Sequence, residues 1–306
     1  MNITLRQLTY FTALARTGHF GRAAAECHVS QPALSTQIKE LEVELGTRLV
    51  ERQPRRAVLT PAGHDLLRHA ETVLADMRAL ETQARRAQGL SGRLTLGVIP
   101  TIAPYLLPVA LPLLRARNVT LDLRVHEATT ERLVRALEEG HLDTAILATP
   151  VPGDAMTSLP IADDRFLLAG TADAVARVGE AVKPRDLDPN RLLLLDDGHC
   201  LADQALDVCA MRRPQTRVDM AASSLGTLCG LVAEGFGVTL LPELAIPREV
   251  AGNPKLALRR FSGEEPGRGI ALVCRHRTAD DPWVGDLAAL LQTATDQLLQ
   301  QTRDRF

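Results

Sequence analysis

Two cysteines, Cys200 and Cys209, lie nine residues apart in the stretch LLLLDDGHCLADQALDVC, which begins at Leu192. Cysteines placed in this way form structural disulfides, bind metal ions, act as redox pairs or simply fill a hydrophobic core. Zinc sites usually supply their ligands in closely spaced pairs, and a gap of eight residues beside a single histidine, His199, lacks that spacing. The spacing therefore disfavours a metal site and leaves the other three roles open.

The composition bears on the compartment in which these cysteines work. The chain has 306 residues and a formal net charge of −2, and its N-terminus lacks the apolar segment and cleavage site of a signal peptide. No apolar run approaches the roughly 18–20 residues that a membrane helix requires. We therefore expect a cytoplasmic protein without a membrane segment, where disulfides are usually transient, catalytic or sensing. Any binding of nucleic acid must then come from a local basic patch.

A redox role requires Cys200 to react as a thiolate, because a neutral thiol is a poor nucleophile. Cys200 follows the run LLLLDDGH, at a predicted junction between a buried strand and a helix. The free N–H groups and partial positive charge of a helix N-terminus favour a thiolate, and His199 could act as a proton partner. The carboxylates of Asp196 and Asp197 oppose the thiolate, so the residues alone do not fix the balance.

The spacing of the two cysteines also limits how a disulfide between them could form. If residues 200–209 make one helix, a rise of about 1.5 Å per residue separates the two Cα atoms by roughly 13–14 Å, on opposite faces. A disulfide holds its Cα atoms roughly 4.4–6.8 Å apart. A bond between Cys200 and Cys209 would therefore require this helix to unravel.

Residues 1–60 carry the pattern of a winged helix-turn-helix DNA-binding domain. Short amphipathic helices precede the turn VSQP and the helix ALSTQIKELEVELG, which Ser30 caps and Gly46 ends. The face opposite the apolar stripe of that helix carries side chains that can reach bases and phosphates, namely Gln31, Ser35, Thr36 and Lys39. The stretch RLVERQPRRAVLT predicts a wing that carries Arg52, Arg55 and Arg56. Eight Lys and Arg against five Asp and Glu make this region locally basic, although a small helical bundle with a solvated charged face would share the pattern.

A linker and dimerisation helix is predicted over residues 61–90, with Pro61 in its first turn and Gly89 at its end. Its apolar residues alternate four and three apart and form a heptad seam, made of Leu66, Ala70, Val73, Met77, Leu80, Ala84 and Ala87. Packing on its own domain is one explanation for the seam. We favour self-association, because a helix between two domains has little of its own chain to pack against.

From residue 91 to residue 306 the pattern changes to alternating strands and helices. The order βαβαβ predicts an α/β domain with a parallel sheet, and RLLLLDDGHC reads as one further buried strand. We predict two α/β subdomains around a cleft, one from about 91–163 with 268–306 and the other from about 164–267. The sequence contains no glycine-rich phosphate loop, so no cofactor is expected.

Three of the chemically useful residues fall at comparable places in this pattern. Thr101, Thr130 and Cys200 each follow a predicted strand. The carboxyl ends of parallel strands meet at one edge of a sheet, where α/β proteins usually bind their ligands. A pocket shared by these residues is therefore expected.

The stretch FGRAAAECHVSQPALSTQIKELEVELGTRLVERQPRRAVLTPAG closely resembles the DNA-binding region of LysR-type transcriptional regulators, and the resemblance extends over the whole chain. It implies a winged helix-turn-helix, a linker helix and a periplasmic-binding-protein-like regulatory domain. It also implies a homodimer or homotetramer that binds promoter DNA, works with RNA polymerase and responds to a small effector.

Within that family, the cysteine stretch is similar to the hydrogen peroxide-sensing activators, as are VIPTIAPYLLP and HEATTERL. This resemblance implies that peroxide oxidises Cys200 to a sulfenic acid and that Cys209 resolves it as a disulfide, which a thiol reductant such as glutaredoxin would reopen. It further implies a peroxide site made of Thr101, Thr130, His199, Asp203 and Arg268. Helix caps, a first-turn acid and a surface charge are the alternative roles of these residues.

The expected function is thus a peroxide-responsive transcription regulator and not an enzyme. One alternative is a LysR-type regulator that responds to a metabolite in the cleft, with incidental cysteines. The other is a thiol peroxidase, although a DNA-reading module and a dimerisation helix would be hard to explain in a dedicated peroxidase.

Lys39→Ala and Arg55→Ala are each expected to weaken DNA binding and to make it less dependent on salt. Losing a phosphate contact releases fewer counterions, so the slope of log K against log salt concentration should fall by about one for each contact. Titrations of labelled promoter DNA at several salt concentrations measure the slope. An unchanged slope in both variants would contradict the placement of these residues on DNA.

Overall fold

The computed structural model of the chain describes residues 3–53, 56–86, 92–117, 121–151, 155–196, 198–211 and 222–305. It divides into two compact units. The N-terminal unit comprises Met1–Ala84 with Glu138–His141, and the C-terminal unit comprises Arg85–Leu137 with Leu142–Phe306. Each unit contains hydrophobic core of its own.

The N-terminal unit consists of four helices and a two-stranded hairpin. Its elements are α1 (Leu5–Thr17), α2 (Phe20–Glu26), α3 (Gln31–Leu45), β1 (Val50–Gln53), β2 (Arg56–Leu59) and α4 (Pro61–Arg86). The two strands pair antiparallel, with Val50 opposite Leu59. The predicted helix-turn-helix and wing are therefore confirmed as elements of the fold.

Helix α3 forms where the sequence predicted it, for the local reasons expected. The hydroxyl of Ser30 accepts a hydrogen bond from the N–H of Ala33, and Gly46 ends the helix in the left-handed conformation with φ of 66°. The apolar stripe faces the core, where Leu34, Ile38 and Leu41 are buried. The opposite face of α3 is thereby left at the surface.

The hairpin is fixed to the helices by polar contacts and by one close approach. The carboxylate of Glu42 on α3 accepts hydrogen bonds from the N–H groups of Leu49 (2.8 Å) and Val50 (3.1 Å). A Cβ atom at Gly63 would lie 2.2 Å from the carbonyl oxygen of Leu49, so α4 can pass the start of the hairpin only with glycine at this position.

Helix α4 carries the predicted heptad seam, part of which is exposed. Leu66 packs against the N-terminal core and Ala70 is buried, whereas Val73 is 42% exposed and Leu80 is 58% exposed. The side chain of Ala84 and the whole of residue 87 lie outside the described part of the chain. Exposed apolar residues along one seam are what a helix awaiting a coiled-coil partner presents. We therefore keep α4 as the proposed dimerisation element.

The C-terminal unit alternates strands and helices. Its elements are β3 (Gly92–Val98), α5 (Ala103–Arg117), β4 (Leu121–Glu127), α6 (Thr130–Glu138), β5 (Thr144–Ala148), β6 (Met156–Thr171), α7 (Ala172–Arg177), α8 (Cys200–Val208), α9 (Leu225–Ala233), β7 (Thr239–Pro242), α10 (Ile246–Gly252), β8 (Leu256–Arg259), β9 (Gly267–Arg275), α11 (His276–Ala279) and α12 (Pro282–Arg303). The α/β class predicted from the sequence is confirmed.

The sheet of this unit is mixed, which corrects the expected all-parallel arrangement. The strand order is β4-β3-β5-β9-β6-β7, and β8 also pairs with β6. Among the strands of the described residues, β3 pairs in parallel with β4 and with β5, and the other pairs are antiparallel. Strand β9 lies between β5 and β6 and is antiparallel to both, because it carries the chain back from the later elements into the first part of the sheet.

Two hydrophobic cores meet along the long strand β6. Ile161, near its start, belongs to a first core built around β3, β5, α5, α6 and α12. Phe166 and Leu168, towards its end, belong to a second core that includes α8 and α9. Strand β6 therefore connects the two cores of the unit.

The predicted strand before Cys200 was wrong as a regular element. Leu192 and Leu195 form only isolated bridges, with Val238 and Ala222. The hydroxyl of Thr239 donates to the carbonyl oxygen of Leu193 and takes a place that a backbone N–H would hold in a ladder. The segment is nevertheless buried and extended, so it still leads directly into α8.

Candidate functional site

A small pocket lies at the N-terminus of α8 in the C-terminal unit. Three segments line it, and their residues are Ile99, Pro100, Thr101, Thr129, Thr130, Gly198, His199 and Cys200. Strands β3 and β4 run parallel, so the segments that follow them reach the same edge of the sheet. The pocket thus brings together four of the residues proposed from the sequence, namely Thr101, Thr130, His199 and Cys200.

Helix α8 begins without a side-chain cap, as the long helix α12 also does. His199 is its N-cap, but its side chain makes no capping hydrogen bond, whereas Ser30 and Ser224 each cap their helix with a hydroxyl. Gly198 has a φ of +92°, which side-chain-bearing residues rarely adopt, and so turns the chain into the helix. Cys200 is the first residue of α8 and is partly buried.

Unsatisfied polar atoms gather around this helix. Within the described residues, the buried side-chain atoms without a hydrogen-bond partner are Oγ1 of Thr130, Oδ1 of Asp196 and Oε1 of Gln204. The Nε2 group of Gln204 donates to the carbonyl oxygen of Thr149. Buried polar groups in proteins are nearly always paired, so an orphaned hydroxyl on a pocket wall is a candidate ligand contact.

Arg268 reaches the pocket through Thr101 and is not a surface charge. Its side chain is fully buried and forms an ion pair of 3.0 Å with Asp164. Its Nη1 donates to Oγ1 of Thr101 (2.8 Å) and its Nη2 to the carbonyl oxygen of Thr101 (3.2 Å). Arg268 does not itself line the pocket.

Asp203, like Arg268, does not line the pocket. It lies in the first turn of α8 and, unlike Arg268, is exposed. The sequence reasoning also missed Asp164, Thr129 and Gln204. Thr129 could have been found from the sequence, because it is the direct neighbour of the proposed Thr130. In contrast, no sequence pattern indicates that Asp164 pairs with Arg268.

The DNA-facing residues proposed from the sequence lie on the outer side of α3 and on the hairpin. Thr36 and Lys39 are exposed together with Gln31, and Ser35 is partly buried. Of the wing arginines, Arg56 is exposed, Arg55 lies outside the described residues, and so does the side chain of Arg52. Contacts between these residues and DNA remain a prediction.

Family models cover nearly the whole chain. Residues 5–64 match the model for the bacterial regulatory helix-turn-helix protein of the lysR family, and residues 87–296 match the LysR substrate binding domain. The chain belongs to the LysR family. The family resemblance inferred from the sequence is therefore confirmed.

Relatives of this LysR-family chain carry related names. The chain is 42% identical over 274 residues to the hydrogen peroxide-inducible genes activator of Dickeya chrysanthemi, covering 89% of this chain and 90% of the relative. It is equally similar to the DNA-binding transcriptional dual regulator OxyR of Escherichia coli K12, with 42% identity and the same coverage.

Solved structures of OxyR proteins have a similar fold. A full-length cysteine-to-aspartate variant of OxyR from Pseudomonas aeruginosa is 34% identical with a TM-score of 0.71, covering 96% of this chain and 97% of that one. A peroxide-bound cysteine-to-serine variant of Corynebacterium glutamicum OxyR is 35% identical with a TM-score of 0.66, covering 99% and 96%.

The described residues add two findings on other kinds of site. They contain no group of three or more His, Cys, Asp or Glu side chains that could hold a metal ion. None of the helices in the described ranges is long and apolar enough to span a bilayer.

The remaining cysteines of this LysR-family chain sit in apolar surroundings. Cys209, Cys229 and Cys274 are buried, and all the cysteines within the described residues are free thiols. Burial raises the pKa of Cys209 and of Cys274 to about 11. Burial, with a contribution from the Glu249 carboxylate, raises the pKa of Cys229 to about 12. These thiols are neutral near physiological pH and correspondingly unreactive.

Iodoacetamide is expected to label Cys200 well before Cys209 in the folded chain near neutral pH. Because burial raises the pKa of Cys209 to about 11, its thiolate fraction and labelling rate should rise about tenfold per pH unit up to that value. Mass spectrometry of tryptic peptides at timed intervals measures both rates. The urea-unfolded chain is the control, in which all cysteines should label at similar rates. Equal labelling of Cys200 and Cys209 in the folded chain would contradict the prediction that burial protects Cys209.

Proposed function

We propose that this LysR-family chain is a cytoplasmic transcription regulator that senses hydrogen peroxide through oxidation of Cys200. The observation that carries the proposal is the pocket in which Cys200 meets the hydroxyls of Thr101 and Thr130, the latter buried without a partner. Peroxide both donates and accepts hydrogen bonds, and hydroxyl side chains do the same. The similarity to proteins named hydrogen peroxide-inducible genes activators supports this assignment.

Three helix N-termini lie around the pocket that Cys200 lines. Helix α8 begins at Cys200, α6 begins at Thr130 and α5 begins two residues after Thr101. Each contributes a partial positive charge and free N–H groups, and helix N-termini of this kind stabilise anions. The side chain of His199 does not cap the N-terminus of α8.

The first chemical step transfers one oxygen atom to sulfur. The Cys200 thiolate attacks one peroxide oxygen, an S–O bond forms and the O–O bond breaks. Sulfur is oxidised to the sulfenic acid, and the other oxygen leaves as hydroxide, which becomes water on taking up a proton. The hydroxyls of Thr101 and Thr130, with His199 beside them, orient the peroxide and donate hydrogen bonds to the departing oxygen.

Cys209 resolves the sulfenic acid in the second step. Its sulfur attacks the Cys200 sulfur, an S–S bond forms, and the S–O bond breaks with release of water. Cys209 is the C-cap of α8, so the helical rise places its Cα roughly 13–14 Å from that of Cys200, too far for a disulfide. Helix α8 must therefore unfold before the bond can close, and this refolding is the proposed output of the sensor.

The rest of the cycle connects the switch to transcription. Promoter DNA binds the outer face of α3 and the hairpin, and the exposed seam of α4 joins subunits into a dimer that assembles into a homotetramer. The refolded segment changes how this assembly engages DNA and RNA polymerase. A dithiol reductant of the glutaredoxin kind returns two electrons to the disulfide and restores both thiols.

Peptide mapping after treatment with micromolar peroxide is expected to find a single disulfide between Cys200 and Cys209. Cys200→Ser should abolish the bridge, Cys209→Ser should leave a sulfenic acid that dimedone traps, and Cys27→Ser should behave like the natural chain. Unmodified cysteines together with normal DNA binding would overturn the proposal in favour of a metabolite-responsive regulator. Rapid multiple turnover with a thiol reductant and no effect on DNA binding would indicate a peroxidase.

Thr130→Val is expected to slow oxidation of Cys200 by about tenfold while leaving stability equal or higher. Removing a buried hydroxyl that has no partner relieves an unfavourable group, so the free energy of unfolding should rise by up to about 1 kcal/mol. Stopped-flow oxidation and urea unfolding measure the two effects.

The matched control for Thr130→Val is Thr144→Val. Thr144 is a buried threonine whose hydroxyl donates to the carbonyl oxygen of Val273 at 2.9 Å. Loss of this hydrogen bond should lower the free energy of unfolding by about 1 kcal/mol without slowing the oxidation of Cys200. A Thr130→Val chain that oxidises at the natural rate would remove Thr130 from the peroxide site.

A further inference from the structure

Asp164 on β6 is a fully buried acid that pairs with Arg268. In the register of the sheet it lies directly opposite Arg268 on β9. Its Oδ2 accepts a hydrogen bond from Nε of Arg268 (3.0 Å) and lies 3.0 Å from Nη2 in the ion pair, and its Oδ1 accepts a hydrogen bond from the backbone N–H of Leu244 at 3.0 Å. Both oxygens of this fully buried carboxylate are therefore held in place.

We propose that Asp164 is a positioning residue for the peroxide reaction, and that it acts by fixing the Arg268 guanidinium so that Arg268 directs the hydroxyl of Thr101 into the pocket. The inference rests on the proposed function of Cys200. Asp164 does not line the pocket, and it acts through two other side chains.

The planar guanidinium transmits this orientation. With Nε and Nη2 facing Asp164, Nη1 faces Oγ1 of Thr101 at 2.8 Å, and Nη2 also reaches the carbonyl oxygen of Thr101. A guanidinium has donors in a fixed fork and no acceptor. The hydroxyl of Thr101 must therefore accept from Arg268, and its own hydrogen is directed elsewhere, towards the pocket that Thr101 lines.

A hydroxyl arranged in this way suits the first step of the reaction. The departing oxygen gains negative charge as the O–O bond breaks, and a preorganised donor stabilises that charge. Accepting a hydrogen bond from a cation strengthens the hydroxyl of Thr101 as a donor, because hydrogen bonds in a chain polarise one another. Arg268 thus supplies its charge to the reaction without touching the peroxide.

The carboxylate is needed because an unpaired guanidinium in this core would be free to turn. Burial raises the pKa of Asp164, and the charge of Arg268 and the N–H of Leu244 oppose that rise. Breaking one partner of a buried ion pair leaves the other uncompensated. Without Asp164, Arg268 loses the two contacts that hold Nη1 against Thr101.

Asp164→Asn in the full-length reduced chain tests the proposal, with two rates measured at Cys200. Oxidation by hydrogen peroxide should slow by about 10–100-fold, because the donor for the departing oxygen is no longer aligned. Alkylation by iodoacetamide, which needs only the thiolate, should stay within about twofold or become faster, because removing a negative charge favours a thiolate. A purely structural role would lower both rates together, and that result overturns the proposal.

Glu243→Gln is the matched control. Glu243 is also a fully buried acid and is paired with Arg260 (2.8 Å) and Arg303 (2.9 Å), and none of these residues lines the pocket. It should change the ratio of the two rates by less than about twofold. Equal effects of Glu243→Gln and Asp164→Asn on that ratio would also overturn the proposal.

Two further variants keep the test decisive. If Asp164→Asn does not fold, Asp164→Glu keeps the charge but displaces the guanidinium, and should still slow the peroxide reaction selectively. In a Thr101→Val background, Asp164→Asn should slow the oxidation of Cys200 by less than about twofold, because Asp164 is proposed to act through Thr101. If the effects of the two substitutions on the oxidation rate are fully additive, Asp164 does not act through Thr101 and the proposal is overturned. A natural chain whose Cys200 ignores peroxide refutes the proposed function itself, which is a separate outcome.

Discussion

The buried ion pair between Asp164 and Arg268 connects several segments of the C-terminal unit. It joins β6, which contributes to both hydrophobic cores, to β9, which contributes to the first. Through Thr101 it reaches the segment after β3, and through the N–H of Leu244 it reaches the segment after β7. A buried pair of this kind adds little stability over an apolar pair, but it permits only one arrangement of its neighbours. Here that arrangement fixes the hydroxyl of Thr101, a residue that lines the same pocket as Cys200.

Several buried polar atoms around the pocket have no hydrogen-bond partner. The orphaned atoms of Thr130, Asp196 and Gln204 all lie on α8 or on the segments beside it. An unsatisfied buried polar atom costs on the order of 1–3 kcal/mol, so this region is strained in comparison with the cores around it. Such local costs are usual where a protein holds groups ready for a ligand or for a change of conformation.

Helix α8 has its two cysteines in different surroundings. Cys200 stands at the uncapped N-terminus on a pocket, whereas Cys209 is buried in the second core, where burial raises its pKa. Leu201, Ala202 and Ala205 hold the helix against that core. Bringing the two sulfurs together must give up this packing, so the proposed disulfide has to supply the free energy that the packed helix loses. In the proposed mechanism, this one short helix connects the oxidation of Cys200 to a change of conformation.

The sequence by itself determined the elements whose signals are local. The cap at Ser30, the stop at Gly46, the heptad spacing of α4 and the start of a helix at Cys200 follow from neighbouring residues, and the structure has them there. The meeting of Thr101 and Thr130 also followed, because the parallel strands β3 and β4 bring their carboxyl ends to one edge, whereas Cys200 reaches the same pocket from a segment that is not a regular strand.

Only the tertiary structure decided the contacts between residues distant in sequence. Asp164 and Arg268 are 104 positions apart, and their pairing depends on β9 running antiparallel beside β6, which no local pattern encodes. The sequence shows Arg268 and Asp203 only as two charged residues. In the structure Arg268 is buried and Asp203 is exposed. The run LLLL before Cys200 reads as a strand because it is apolar, and only the positions of its neighbours limited it to isolated bridges. Chemistry-bearing residues can thus be named from the chain, whereas their partners are fixed by the packing of the sheet.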